Sequence, residues 1–259
     1  MSVVLVERDG GVATVTMARP GAMNALNMEL KEALADAFQQ LADDPSVRCV
    51  VLTGEGKGFS AGGDIREMEL NDVPVRSRSR LQVLLRETVE PLLRMEKPTI
   101  AAVNGHAHGA GLSLALACDV IFAADNAVMS CAFTKLGLVP DCGALYLLPR
   151  RVGLSRAKDL VFSGRRFDAA QALAMGAVDE VVAAGDLVAT AQTRAAEYAA
   201  GPTVALGLAK HLLDQSLNSS WSAMTELEPM AQAVCYSTDD HQTARQAFLA
   251  KTAPSFTGS

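Results

Sequence analysis

Residues Val3–Val6 and Val12–Met17 alternate apolar and polar positions around Asp9-Gly10-Gly11, the pattern of a β-hairpin. From Asn27 the period changes: Leu30, Ala33, Leu34, Ala37, Phe38 and Leu41 recur at helical spacing. Asn27 stands where an N-cap belongs, and Asp43-Asp44-Pro45 stops the helix. Cys49–Thr53 reads as a buried strand, and Phe59–Asp64 as a turn of small residues after which Ile65-Arg66-Glu67-Met68 begins a helix. Pro74 with Arg76, Arg78 and Arg80 reads as a polar, solvated loop. Leu81, Leu84, Leu85, Thr88, Val89, Leu92 and Leu93 predict an amphipathic helix that ends before Lys97-Pro98, its leucines packing the core in preference to lining a tunnel.

A second turn of the same kind follows. The β-branched run from Thr99 to Val103 predicts a strand that breaks at Asn104-Gly105, passes through small residues and becomes the Ala/Leu-rich helix beginning near Ala110. Asp119–Ala123 and Val128-Met129 read as short strands, Leu138–Gly143 as a turn, and Ala144–Leu148 as helical. Asp168 and Gln171 form a capping box before a short helix to Met175, and Val178–Val182 is the last strand. Beyond Asp186 the pattern is helical throughout: Leu187–Ala199, Thr203–Leu217, Trp221–Tyr236 and Asp239–Lys251. Alternating strands and helices followed by helices alone predict an α/β core with a helical appendage. The division falls at residues 1–195 and 196–259.

Composition narrows the class. The chain has 259 residues, 49% of them hydrophobic, enough for a sizeable core in one large domain. A formal net charge of −6 offers no footprint for nucleic acid. The N-terminus is interrupted by Glu7, Arg8 and Asp9, unlike a signal peptide, and no apolar run spans a bilayer. The five cysteines have no CxxC spacing and read as reduced thiols of a cytoplasmic protein. His106 and His108 stand on a turn with no third ligand nearby, so no metal site is assigned.

The two small-residue turns carry the candidate chemistry. Backbone N–H groups at the start of a helix favour negative charge. Two of them converging on one point make an oxyanion hole, which stabilises the enolate of a thioester that has lost a proton. The alternative is two tight turns in which glycine serves packing alone.

At this point the chain resembles the enoyl-CoA hydratase/isomerase (crotonase) superfamily over essentially its whole length. The matching residues are Asn24-Ala-Leu26, Phe59–Met68, Lys97-Pro98, Ala101–Gly105 and Gly109-Ala-Gly111. Cys118-Asp119, Gly137–Pro140, Leu147–Arg150 with Val152-Gly153, and Phe248–Lys251 continue the match. The resemblance implies a spiral of ββα turns with a C-terminal helical trimerisation region, and homotrimers or hexamers built as dimers of trimers. It implies an acyl-CoA thioester as substrate, with coenzyme A part of that substrate and no further cofactor. Oxyanion donors would be the N–H groups of Gly63 and Ala110, and Ala61, Gly62, Asp64 and Ile65 would hold the adenine-pantetheine part of CoA. Phe248 and Lys251 would reach the CoA of a neighbouring subunit.

The chain departs from the family's hydratases at both glutamates that add water. Ser113 occupies the first position and Phe133 the second, and both residues, with Met68, are expected along the acyl pocket. One carboxylate stands nearby, Asp141, directly after Val139-Pro140. On its own it could equally be an Asx-turn residue. The segment Leu138–Gly143 with Leu147–Arg150 looks most like the ring-1,2-epoxyphenylacetyl-CoA isomerase type. A single carboxylate suffices for a 1,3-proton shift and leaves nothing to add water. The expectation is an acyl-CoA isomerase using Asp141. The alternatives are an enoyl-CoA hydratase with unidentified acid and base, a dehalogenase-like enzyme with Asp141 as nucleophile, and a non-catalytic acyl-CoA binder.

Overall fold

The structure, a computed structural model, describes residues 2–67 and 73–259. The N-terminal hairpin is present: β1 (Val4–Asp9) pairs antiparallel with β2 (Val12–Met17), Asp9 opposite Val12. Helix α1 (Met28–Asp43) begins at Asn27, whose side chain accepts the Leu30 N–H at 3.0 Å, and buries Leu30, Leu34, Ala37, Phe38 and Leu41.

After α1 the chain enters a repeated strand-strand pattern. The first strands, β3 (Cys49–Gly54), β5 (Thr99–Val103) and β7 (Val120–Ala124), lie side by side and parallel. With β1, β2 and β10 (Glu180–Val182) they form a six-stranded sheet in the order β1-β2-β3-β5-β7-β10. The second strands, β4 (Gly58–Ser60), β6 (His106–His108) and β8 (Val128–Ser130), join β9 (Phe167–Asp168) in a second sheet in the order β4-β6-β8-β9. Each pair therefore contributes one strand to each sheet, and successive pairs stack as a spiral. β3 and β5 are buried at every position, as parallel strands covered on both faces should be.

The second sheet corrects the sequence reading except at β8, where Val128-Met129 was expected as a strand. Its other strands have three residues or fewer, too short for an alternation to register. The segment after Asn104-Gly105, expected to pass straight into helix, first makes β6, so His106 and His108 are strand residues. Pro74, assigned to a loop, is instead the first residue of α2 (Pro74–Leu84), a position that tolerates its missing N–H. The expected continuous helix to Leu93 is broken by a π turn, Leu85–Val89, ahead of α3 (Glu90–Arg94). Pro91 has no N–H to offer Glu87 and its ring would clash with that carbonyl, so the chain widens and Glu90 bonds back to Leu85. Leu81 and Leu85 consequently do not pack the core; they are 41% and 37% exposed. Ile65–Glu67 is a single 3-10 turn, and Met68 lies outside the described residues.

Helix α4 (Ala110–Leu116) is buried at every residue and leads to β7. Helices α5 (Ala144–Val152), α6 (Leu154–Ser163) and α7 (Ala169–Met175) follow, α6 being unforeseen and α7 opened by the Asp168–Gln171 capping box. Helix α8 (Leu187–Ala199) turns Leu187, Ala191, Ala195 and Ala199 inward at four-residue spacing. The last three, α9 (Thr203–Ser216), α10 (Trp221–Tyr236) and α11 (Asp239–Ala250), bury few side chains. Arg48 and Lys210 anchor this region to the core: Arg48 Nε donates to Thr203 Oγ1 at 2.9 Å and Lys210 Nζ meets Asp119 Oδ2 at 2.9 Å. No helix among the described residues is long and apolar enough to cross a membrane.

Candidate active site

The two small-residue turns, 47 positions apart if counted from Gly63 to Ala110, meet in space. A Cβ built on Gly62 would stand 2.6 Å from the His108 carbonyl oxygen and 3.4 Å from the Ala110 nitrogen. A Cβ on Gly111 would fall 2.4 Å from the Ser60 carbonyl oxygen. Both positions therefore exclude a side chain, and Gly62 also has φ of +93°, which favours glycine. Gly109 takes φ 52° and ψ −123° at the entrance to α4, with its N–H donating to Ser130 O at 2.9 Å.

Local hydrogen bonds fix the first turn. Leu26 N donates to Gly62 O at 2.7 Å and Asp64 N to Leu26 O at 3.2 Å, which turns the intervening Gly63 N–H to the opposite side. Ser60 Oγ donates to Asn24 O at 2.8 Å and accepts from Gly62 N at 3.2 Å. Asn24, fully buried and left-handed, donates through Nδ2 to Glu55 O and Gly58 O and accepts the Arg19 N–H. The N–H groups of Gly63 and Ala110 have no acceptor among the described residues. Two unused main-chain donors on adjoining turns are the raw material of an oxyanion hole.

Asp64 is committed within the protein. Arg66 reaches both its oxygens at 3.0 Å and Arg19 lies 3.4 Å away, and the Arg66 hydrogen bonds hold its carboxyl down to about 2. Its carboxylate therefore braces the turn. Ala61 and Ile65 flank it, Ile65 well exposed.

Asp141 sits in the turn before α5. Its Oδ1 is buried without a hydrogen-bond partner among the described residues. Burial pushes the carboxyl above its ordinary 3.8, while the Cys142 thiol and the Lys31 ammonium pull the other way. Cys131 and Cys142, both buried, feel the carboxylate in return; burial and Asp141 drive the Cys131 thiol up to about 11. Lys31 on α1 and Cys131 just after β8 interact electrostatically with Asp141 without having been singled out in the sequence, because they come from distant stretches of chain, while Cys142 is its neighbour in the turn. Val89 of the π turn packs near the same turn, 3.7 Å from a Cβ built on Gly143.

Ser113 and Phe133 are both drawn to this region. The Phe133 ring lies 3.8 Å from a Cβ built on Gly109, and the residue is 7% exposed. Ser113 is fully buried; its Oγ donates towards Gly109 O at 3.2 Å and Asp141 O at 3.1 Å. A serine so engaged ties α4 to the Asp141 turn.

His108 shares Nδ1 with Ser130 Oγ at 2.8 Å, and burial, then His106 and Arg166, lower its pKa to about 4. It is neutral at neutral pH. Among the described residues no cluster of His, Cys, Asp or Glu has the make-up of a metal site. Phe248 and Lys251 lie far along the appendage, Phe248 83% exposed at the end of α11 and Lys251 left-handed at its C-cap. A cavity of about 880 Å³ opens elsewhere, between the core and α9, lined by residues such as Leu116, Asp119, Tyr146 and Lys210. Gly63, Ala110 and Asp141 do not border it.

Comparison with known proteins places this geometry. The sequence pattern of the enoyl-CoA hydratase/isomerase family matches residues 7–259. The 1,2-epoxyphenylacetyl-CoA isomerase of Escherichia coli K12 is 38% identical, with 100% of this chain and 99% of the relative covered. The short-chain-enoyl-CoA hydratase of Clostridium acetobutylicum is 36% identical, covering 96% of this chain and 95% of the relative. A crystal structure of an enoyl-CoA hydratase/isomerase from Cupriavidus metallidurans CH34 superposes with a TM-score of 0.93 at 37% identity, covering 98% of this chain and 96% of that one. The spiral and its helical appendage are thus the crotonase fold, and the chain belongs to the enoyl-CoA hydratase/isomerase family.

Proposed function

We propose that the protein is an acyl-CoA isomerase that moves a double bond, or rearranges a ring, through a thioester enolate. The observation that carries this reading is the Asp141 carboxylate, buried and unpartnered at Oδ1, in a turn bonded to the helix that supplies the Ala110 N–H. The thioester oxygen accepts from the Gly63 and Ala110 N–H groups. Asp141, ionised, removes a proton from C2 of a 3-enoyl-CoA; the electron pair passes into the enolate held by the two donors, and the protonated Asp141 returns the proton at C4. The substrate's atoms are conserved and the base is regenerated. A raised pKa suits this role, since the same carboxyl must both take and give the proton. Adding water would need a second acid/base group, and the two family positions that supply it hold Ser113 and Phe133.

The backbone from Ala61 to Ile65 binds the adenine-pantetheine part of CoA, and Phe133 walls the acyl pocket. Phe248 and Lys251 reach the CoA of a neighbouring chain in a homotrimer or a hexamer, which gives the exposed appendage its partner. Coenzyme A belongs to the substrate.

Hydratase activity is the second reading, favoured by the Clostridium relative's name. The test offers purified protein a 3-enoyl-CoA and, separately, a 2-enoyl-CoA, each repeated with Asp141→Asn. Conjugation without hydration, reduced at least about 100-fold by the substitution, is the expected result. Hydration that survives the substitution overturns the assignment, and thioester binding without either reaction points to an aromatic or epoxide substrate or to a non-catalytic binder.

A further inference from the structure

The candidate acid/base and the candidate oxyanion donor stand on different elements, Asp141 in the turn before α5 and Ala110 at the start of α4. A proton shift through an enolate depends on the spacing between them, because the carboxylate must reach C2 and C4 while the thioester oxygen stays in the hole. No hydrogen bond of the Asp141 side chain among the described residues crosses to α4: Oδ1 has no partner, and the Cys142 thiol that hydrogen-bonds the carboxylate belongs to the same turn. The link to α4 is made by the main chain.

The Asp141 carbonyl oxygen has two donors: Ala144 N at 3.0 Å, which closes the local turn, and Ser113 Oγ at 3.1 Å, which comes from α4. Ser113 follows Ala110 by three residues, within one helical turn. Its hydroxyl also lies 3.2 Å from Gly109 O, so its one proton is shared between a carbonyl one turn back on α4 and the slightly nearer Asp141 carbonyl. Of the two, the bond to Asp141 O is the one that crosses between elements. The residue is fully buried, so water does not compete for the bond.

We propose that Ser113 is a positioning residue: its hydroxyl ties the main chain at Asp141 to the first turn of α4 and holds the acid/base carboxylate at a working distance from the Ala110 N–H. The proposal rests on the reading of Asp141 as the acid/base. Serine at this point replaces a reacting group with a tether, keeping the position in the service of the reaction without touching substrate.

The test measures steady-state isomerisation of a 3-enoyl-CoA by wild type, Ser113→Ala, Ser113→Thr and Asp141→Asn, with a thermal melt of each. Ser113→Ala is expected to lower kcat about 10- to 100-fold with KM within about threefold, and Ser113→Thr, which keeps the hydroxyl, to recover most of kcat. Should Ser113→Ala not fold, Ser113→Cys takes its place, with similar volume and a much weaker donor. A lowered melting temperature with unchanged kcat assigns Ser113 to stability alone and overturns the proposal. So does an equal loss in the alanine and threonine variants. Isomerisation that survives Asp141→Asn overturns the acid/base reading and this proposal together. Loss in Asp141→Asn with unimpaired Ser113→Ala overturns the positioning role alone.

Discussion

In its proposed role, Asp141 sets function against stability within one side chain. Burial raises its carboxyl above 3.8, so the folded chain holds a proton at pH values where the unfolded chain has released it. Stability therefore falls as pH rises from about 3.8 through the raised value, and the loss persists at neutral pH. Asp141→Asn is neutral and nearly isosteric, and should raise the urea midpoint at neutral pH. The gain should fade as the pH is lowered below about 3.8, where the wild-type carboxyl is protonated in both states. Equal midpoints at neutral pH would mean the carboxylate is not desolvated. Asp141 was legible as a candidate from its place after Val139-Pro140, but its surroundings were not. Lys31 and Cys131 act on it from two other stretches of chain, and no local pattern announces an influence that only tertiary folding brings. Ser113 shows the same limit: the sequence places a serine where hydratases have glutamate, while its bond to Asp141 O needs the fold.

At the scale of elements, the two turns depend on absent side chains. A methyl group on Gly111 would meet the Ser60 carbonyl oxygen at 2.4 Å, and main chain cannot swing aside as a side-chain tip can. Gly111→Ala should cost about 1–3 kcal/mol in stability and abolish most isomerisation, because the relief available is to push α4 away from the Phe59–Asp64 turn. A denaturation curve and an activity assay check both halves; full activity in the variant would mean the turns need not touch. The long elements were readable because burial on one face imposes a period, as in α1 and α8, or because burial on both faces imposes a continuous apolar run, as in β3 and β5. Apart from β8 the second sheet was not, since three residues hold too few alternations, and the π turn arises from one proline meeting one carbonyl.

The whole molecule leaves its appendage under-covered. Trp221 and Phe248 are 82% and 83% exposed, and α10 buries no residue in the single chain. Large apolar side chains in that setting are what the proposed trimer or hexamer would cover. Sedimentation should give the mass of three or six chains. Phe248→Ala combined with Lys251→Ala should raise KM for the CoA thioester about tenfold, a loss of about 1.4 kcal/mol of binding, with kcat retained. A monomer with unaltered KM in the double variant would refute both the assembly and the shared site.

The free donors at Gly63 and Ala110 belong to the polypeptide backbone, whereas the acid/base proposed at Asp141 is a side chain. Mutation treats the two differently. A codon change at Ala110 alters a methyl group and leaves the N–H in place, but one base change can erase the carboxylate at 141 or install another nearby. The anion-holding half of such a site is inherited with the fold, while the proton-moving half is rewritten one residue at a time. A lineage built this way can exchange one reaction for another without passing through an ancestor that has lost its grip on the thioester.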